Sequence, residues 1–159
     1  MALSDFNLIT DRTQADVDRY LELKAKGFHR MTEAEKAEWE TDLKGSYNHT
    51  DMNRVESAVE YVANRLTEAG YGVIPVIKKT WSVTDKPTHE DLKRYMKNVS
   101  DIRAVLTTFE TTPDAPTTEK RLSFQAANAL EQILTDVDDL ISRMVSIYFY
   151  SGDLYSGEI

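Results

Sequence analysis

A four-residue string occurs twice in this chain, and each time it stands at the head of a long apolar stripe. Asn53-Arg54-Val55-Glu56 accompanies Met52, Val55, Val59, Val62, Leu66 and Ala69, and Asn128-Ala129-Leu130-Glu131 accompanies Ala127, Leu130, Leu134, Val137, Ile141, Met144 and Tyr148. Steps of three and four residues alternate along both stripes, which is the 3.5-residue period of helices that pack lengthwise against one another. The spacing therefore predicts a mainly α-helical fold, a five-helix, bundle-like domain whose long helices lie antiparallel.

Local punctuation marks where those helices begin and end. Thr13-x-x-Asp16 caps the first and Gly27 ends it. Thr32-x-x-Glu35 has the form of a capping box and opens a short second helix, with Trp39 and Leu43 on its apolar face and Gly45 as its stop. The third starts after Thr50, in the capping position, ends at Gly70 and carries the first stripe. Thr88 caps a fourth that reaches about Phe109, and its stripe (Tyr95, Met96, Val99, Ile102 and their neighbours) is wide enough for burial on more than one side. The fifth covers about Ser123 to Tyr148.

Between them, residues 71–83 form a β-rich run broken by Pro75, which has no N–H to donate; an edge strand or extended segment is expected there. Prolines and threonines make residues 110–121 an extended connection that lets the fourth and fifth helices lie antiparallel. Residues 1–12 and 150–159 read as N- and C-terminal arms of a single domain, 1–159.

Composition narrows the function classes. A chain of 159 residues can bury a core of its own. A net charge of −8, with only small basic clusters such as Lys78-Lys79, disfavours nucleic acid, which is held by displacing counterions with cationic side chains. No apolar run approaches the roughly 18 residues of a membrane span, and the start lacks the pattern of a secretory signal, so assembly in the cytoplasm without membrane insertion is expected. With no cysteine, disulfides and thiolate metal sites are excluded.

His29, His49 and His89 do not share the spacing of zinc ligands. Asp136-Val137-Asp138-Asp139 lacks the glycine and terminal glutamate of a calcium loop, and its Val137 belongs to a stripe, so these aspartates read as a solvated helix face. Phosphate-cradling glycine loops and nucleophile elbows are absent from the sequence. No catalytic, metal-binding or cofactor-binding residue is assigned, and no enzymatic activity or cofactor is expected.

Two features carry functional expectations instead. Asn53 with Glu56, and Asn128 with Glu131, lie one turn apart on the same helix face. The preferred reading is local: each side chain bonds orphan backbone groups near its own helix start. The other is a polar clamp across two helices or two subunits that fixes their register. The second feature is the segment Ser151-Gly152-Asp153-Leu154-Tyr155-Ser156-Gly157-Glu158, whose Leu154 and Tyr155 suit an arm that docks on a neighbouring chain, or one that folds back on its own domain. The expected interface is therefore Leu130, Leu134, Val137, Ile141, Met144 and Tyr148 together with Leu154 and Tyr155.

Three strings add a resemblance. Leu8-Ile9-Thr10-Asp11-Arg12-Thr13-x-Ala15-Asp16-Val17, Tyr47-Asn48-x-Thr50-Asp51-x-Asn53-Arg54-Val55-Glu56 and residues 149–158 are similar to those of small proteins from the tail and baseplate region of tailed phages and prophages of Gram-positive bacteria. That resemblance implies a non-enzymatic virion structural protein (tail, baseplate or fibre-associated), a homo-oligomer that also contacts other phage tail proteins. The alternatives are a monomeric helical binding or regulatory module acting on a host or phage protein, and a small cell-wall or glycan hydrolase.

Overall fold

The computed structural model describes residues 1–41, 43–117 and 121–157, with side chains described as far as residue 147. Its helices are α1 (Gln14–Lys26), α2 (Glu33–Glu40), α3 (His49–Glu68), α4 (His89–Val105) and α5 (Phe124–Gly157), with 3₁₀ turns at Leu3–Phe6 and Phe28–Arg30. The fold is mainly helical and bundle-like, and no strand forms among the described residues. Residues 71–83 are extended but unladdered.

Capping chemistry sets the starts. Thr13, Thr32 and Thr88 each accept a backbone N–H three residues on, and Asp16, Glu35 and Asp91 return a bond to the cap's own N–H. For α3 the cap is Asn48 rather than Thr50, because Asn48 and Asp51 close the box two residues earlier. Helix α3 stops where Gly70, at φ +94°, takes the left-handed position that lets the Tyr71 N–H reach the Leu66 carbonyl at 2.8 Å. Helices α2 and α4 end earlier than their apolar stripes suggest, at Glu40 and Val105.

Three helices make the core. Val55, Val59, Val62 and Leu66 of α3 meet Tyr95, Val99 and Ile102 of α4 and Leu130, Leu134, Val137 and Ile141 of α5, all essentially sealed from solvent. Their mutual direction corrects the antiparallel expectation. Arg54 of α3 lies beside Glu131 of α5 and Arg65 beside Asp138, so residue numbers rise together along the pair. Glu56 pairs with Arg94 near the start of α4, and Phe109, beyond its end, sits under Arg143 of α5. All three helices therefore run parallel.

Parallel neighbours need connections that travel the helix length. A 20-residue helix is about 30 Å long, and an extended strap covers that in roughly nine or ten residues. Residues 71–81 run back down α3 from Leu66 to Asn53, about 20 Å of that helix. Residues 1–12 descend alongside α3 and α5 in the same sense, from Tyr61 at Met1 and Phe6 to Asn128 at Arg12. The 110–121 connection opens on a turn closed by the Thr112 N–H on the Phe109 carbonyl at 3.0 Å and has no regular structure over residues 113–117, with residues 118–120 outside the described residues.

Helices α1 and α2 form a separate lobe between the first strap and α3. Tyr20 and Trp39 stack at 5.7 Å, Arg19 forks onto Glu38, and Leu23 and Met31 are buried apart from the main core. The lobe is tied down at its neck by Lys44–Asp11 at 2.7 Å and by Gly45, whose backbone lies so close to α1 that a Cβ there would stand 1.9 Å from the Asp16 carbonyl oxygen.

The stripe of α5 is largely spent within this chain. Leu130, Leu134 and Val137 are fully buried and Ile141 nearly so, which corrects their assignment to an intermolecular interface; only Met144 of that set is half-exposed. The helix also continues through Gly157, where an extended C-terminal arm was expected. The side chains of Tyr148, Leu154 and Tyr155 lie outside the described residues.

Candidate functional site

The ends of the straps meet the starts of the core helices at a buried ionic centre. Arg12, from the first strap, reaches Glu131 of α5 at 2.8 Å and Asp51 of α3 at 3.3 Å. Arg54 of α3 joins from the other side, 2.6 Å from Asp51 and 3.4 Å from Glu131. The side chains of Arg12, Asp51 and Glu131 are almost wholly buried. Two guanidiniums and two carboxylates make the cluster formally neutral, which is what permits charge at such depth.

Further bonds fix the centre. The Ile9 N–H donates to Glu131 and Arg12 Nη1 donates to the Ile9 carbonyl at 2.8 Å. Arg12 also lies over the Tyr47 ring at 5.2 Å, and the Tyr47 hydroxyl is bonded to that of Tyr95. Burial raises both phenols above their ordinary range, and the neighbouring Glu131 charge adds to the effect on Tyr47. Burial also raises Glu131, against the opposing pull of Arg12, the Ile9 amide and Arg54. For Arg54 burial works downward, but the Glu131 and Asp51 charges outweigh it and the group is raised.

Around this centre the repeated string shows its purpose. The Asn128 side chain accepts the Arg12 N–H at 3.0 Å and donates to the Arg12 carbonyl at 2.9 Å. Asn53 does the same to Trp81, with both bonds at 2.9 Å. Each amide thus imitates one rung of a β-ladder for an extended strap that has no partner strand. The glutamate one turn on then takes the N–H three residues upstream of the clamped residue: Glu131 that of Ile9, Glu56 that of Lys78 at 3.4 Å. Both glutamates are also neutralised by arginine, Glu56 by Arg94 at 2.6 Å.

The local reading of these pairs is therefore corrected. Neither Asn nor Glu satisfies its own helix start. Both hold a strap from elsewhere in the same chain.

A third clamp of this type was not found from the sequence. Asn98 of α4 accepts the Val76 N–H at 3.1 Å and donates to the Val76 carbonyl at 2.8 Å. Its signal was an Asn beside the apolar stripe Tyr95, Met96, Val99 and Ile102, followed one turn later by an acid, Asp101. That acid pairs instead with Lys97 at the surface, so the string is only half repeated. Arg12, Tyr47, Asp51 and Tyr95 were also missed; they come from three separate segments, with Tyr47 and Asp51 together at the head of α3.

The Glu131 carboxylate is saturated, since its oxygens meet Arg12, Arg54 and the Ile9 N–H and it has no exposure, whereas Arg12 Nε and Arg54 Nε are buried without a partner. Among the described residues no three His, Cys, Asp or Glu side chains stand where they could share a metal ion, and no helix is long and apolar enough to cross a membrane. Comparison with known proteins assigns nothing further. No protein-family model, curated protein or solved structure matches the chain.

Proposed function

We propose that this protein is a non-enzymatic structural component of a phage particle, in the tail or baseplate, and that it assembles with copies of itself through the C-terminal part of α5. One observation carries the reading. Among the residues whose side chains are described, the last core residue of α5 is Ile141, and the helix continues to Gly157, roughly 24 Å further. On that extension Val145 is 56% and Ile147 68% exposed.

Val145 leaves apolar surface in solvent on a helix that has already passed the core, and a second copy covers it with the same surface on each side. The resemblance to phage tail-region proteins gives the setting: assembly in the host cytoplasm, other tail proteins as further partners, and the virion as destination.

The burial of the ionic centre's carboxylates supports a mechanical role over a catalytic one. Its carboxylates hold straps in place, where a general acid or nucleophile has to reach a substrate.

Light scattering on the full chain tests the reading, with Val145→Asp/Ile147→Asp as the control. A discrete oligomer that falls to monomer in the double variant, with unchanged helicity, is the expected result. A monomeric parent chain would overturn it in favour of the monomeric binding module. Mass spectrometry of purified particles tests the setting.

A further inference from the structure

Two concavities open side by side where α1 and α2 face the start of α3. One, of about 180 Å³, has Tyr47, Met52 and Trp81 in its wall. The other, of about 330 Å³, is walled by Tyr20, Trp39 and Leu43. Asn48, His49 and Val83 line both, so the two form one continuous groove.

Its walls hold both of the chain's tryptophans. Val83, at the junction, is 82% exposed, a branched apolar side chain that the fold leaves uncovered beside aromatic rings. The charged lining groups are Glu40 in one concavity and Asp85 in the other, with His49 between them and no Lys or Arg. Lys24 and Lys78 lie over Tyr20 and Trp81 at 5.7 and 3.6 Å. Asp85 already accepts the Ser82 N–H at 2.8 Å and feels the Lys78 charge, so selection by charge falls first to Glu40 and then to Asp85.

We propose that this groove binds an extended peptide segment of another protein, with apolar side chains seated in the two concavities and a Lys or Arg directed at Glu40 or Asp85. The smaller concavity, about 180 Å³, has room for one branched aliphatic side chain or a proline ring, and its neighbour of about 330 Å³ has room for a second, larger anchor on the same stretch of chain. Aromatic walls suit such anchors, which is how grooves for proline-rich segments are built. Acidic lining selects a cationic partner and repels an acidic one. By that rule the protein's own C-terminal segment, which brings Asp153 and Glu158, is excluded as occupant. The groove uses no residue of α5, so it stands independently of the assembly proposed above.

The test uses the full chain and a displayed library of random 12-residue peptides, with tryptophan fluorescence as readout for the enriched sequences. Two apolar positions flanked by Lys or Arg are the expected consensus. Glu40→Gln and Asp85→Asn should each weaken binding about two- to fivefold, and Val83→Asp should abolish it. Val83 is exposed, so that change spares folding, and circular dichroism confirms it; Val145→Asp should leave peptide binding unchanged. An acidic consensus, no sequence whose binding depends on Val83, or a neutral oligosaccharide giving the same tryptophan response would each overturn the proposal.

Discussion

Asn128 and Glu131 hold the first strap as Asn53 and Glu56 hold the second, but the two copies differ in what surrounds the acid. Glu56 answers one arginine, whereas Glu131 answers two and carries the buried centre. Glu131→Gln leaves Arg12 and Arg54 facing a single carboxylate, and urea unfolding should show a loss of about 3–5 kcal/mol. The paired change Arg12→Met/Glu131→Leu removes both partners and should cost less than Glu131→Gln alone; an additive loss would mean the pair does not interact as the geometry requires. Asn53→Ala and Asn128→Ala each strand two backbone groups, and each should cost about 1–3 kcal/mol in the same assay. These side chains were visible from their spacing, but their partners were not, because Trp81 and Arg12 are addressed through backbone atoms that any residue carries.

At the scale of the element, helix starts were the most legible feature, since a cap is a local device written in consecutive residues. Thr13, Thr32 and Thr88 cap as their spacing predicts, and replacing any one by Ala should cost about 1 kcal/mol. The cap of α3 was misplaced by two residues because Asn48 and Thr50 compete for the role. Backbone bonds from Thr13 and Thr88, then their hydroxyls, hold Asp16 and Asp91 below their ordinary 3.8. A carboxylate lowered in the fold contributes stability above its unfolded value, and that contribution is lost as pH falls through the lowered one. On acidification the starts of α1 and α4 should therefore fray first, seen as helicity loss by circular dichroism and local carbon shifts by NMR, with Thr13→Ala and Thr88→Ala removing that step.

At the scale of the whole molecule, three parallel helices with returning straps carry a lobe, α1 and α2, whose buried side chains lie outside the main core. Native-state hydrogen exchange should find α1 and α2 opening at lower free energy than α3 to α5, since fewer apolar contacts must break. Protection equal to that of α3 would count against a separable lobe. The sequence by itself determined that the chain is helical, where most helices begin, and which faces are apolar, because these depend on periodicity and on bonds within one turn. It left direction open: a stripe such as Leu130 to Ile141 packs equally well against a parallel or an antiparallel neighbour, and the long connections permit both. It also left open whether that stripe is covered by this chain or by another, since burial looks the same from either side. Only the tertiary structure decided these points, because it alone brings Arg12, Asp51, Arg54 and Glu131 together from positions up to 119 residues apart, and a charge cluster of that kind has no periodicity to announce it.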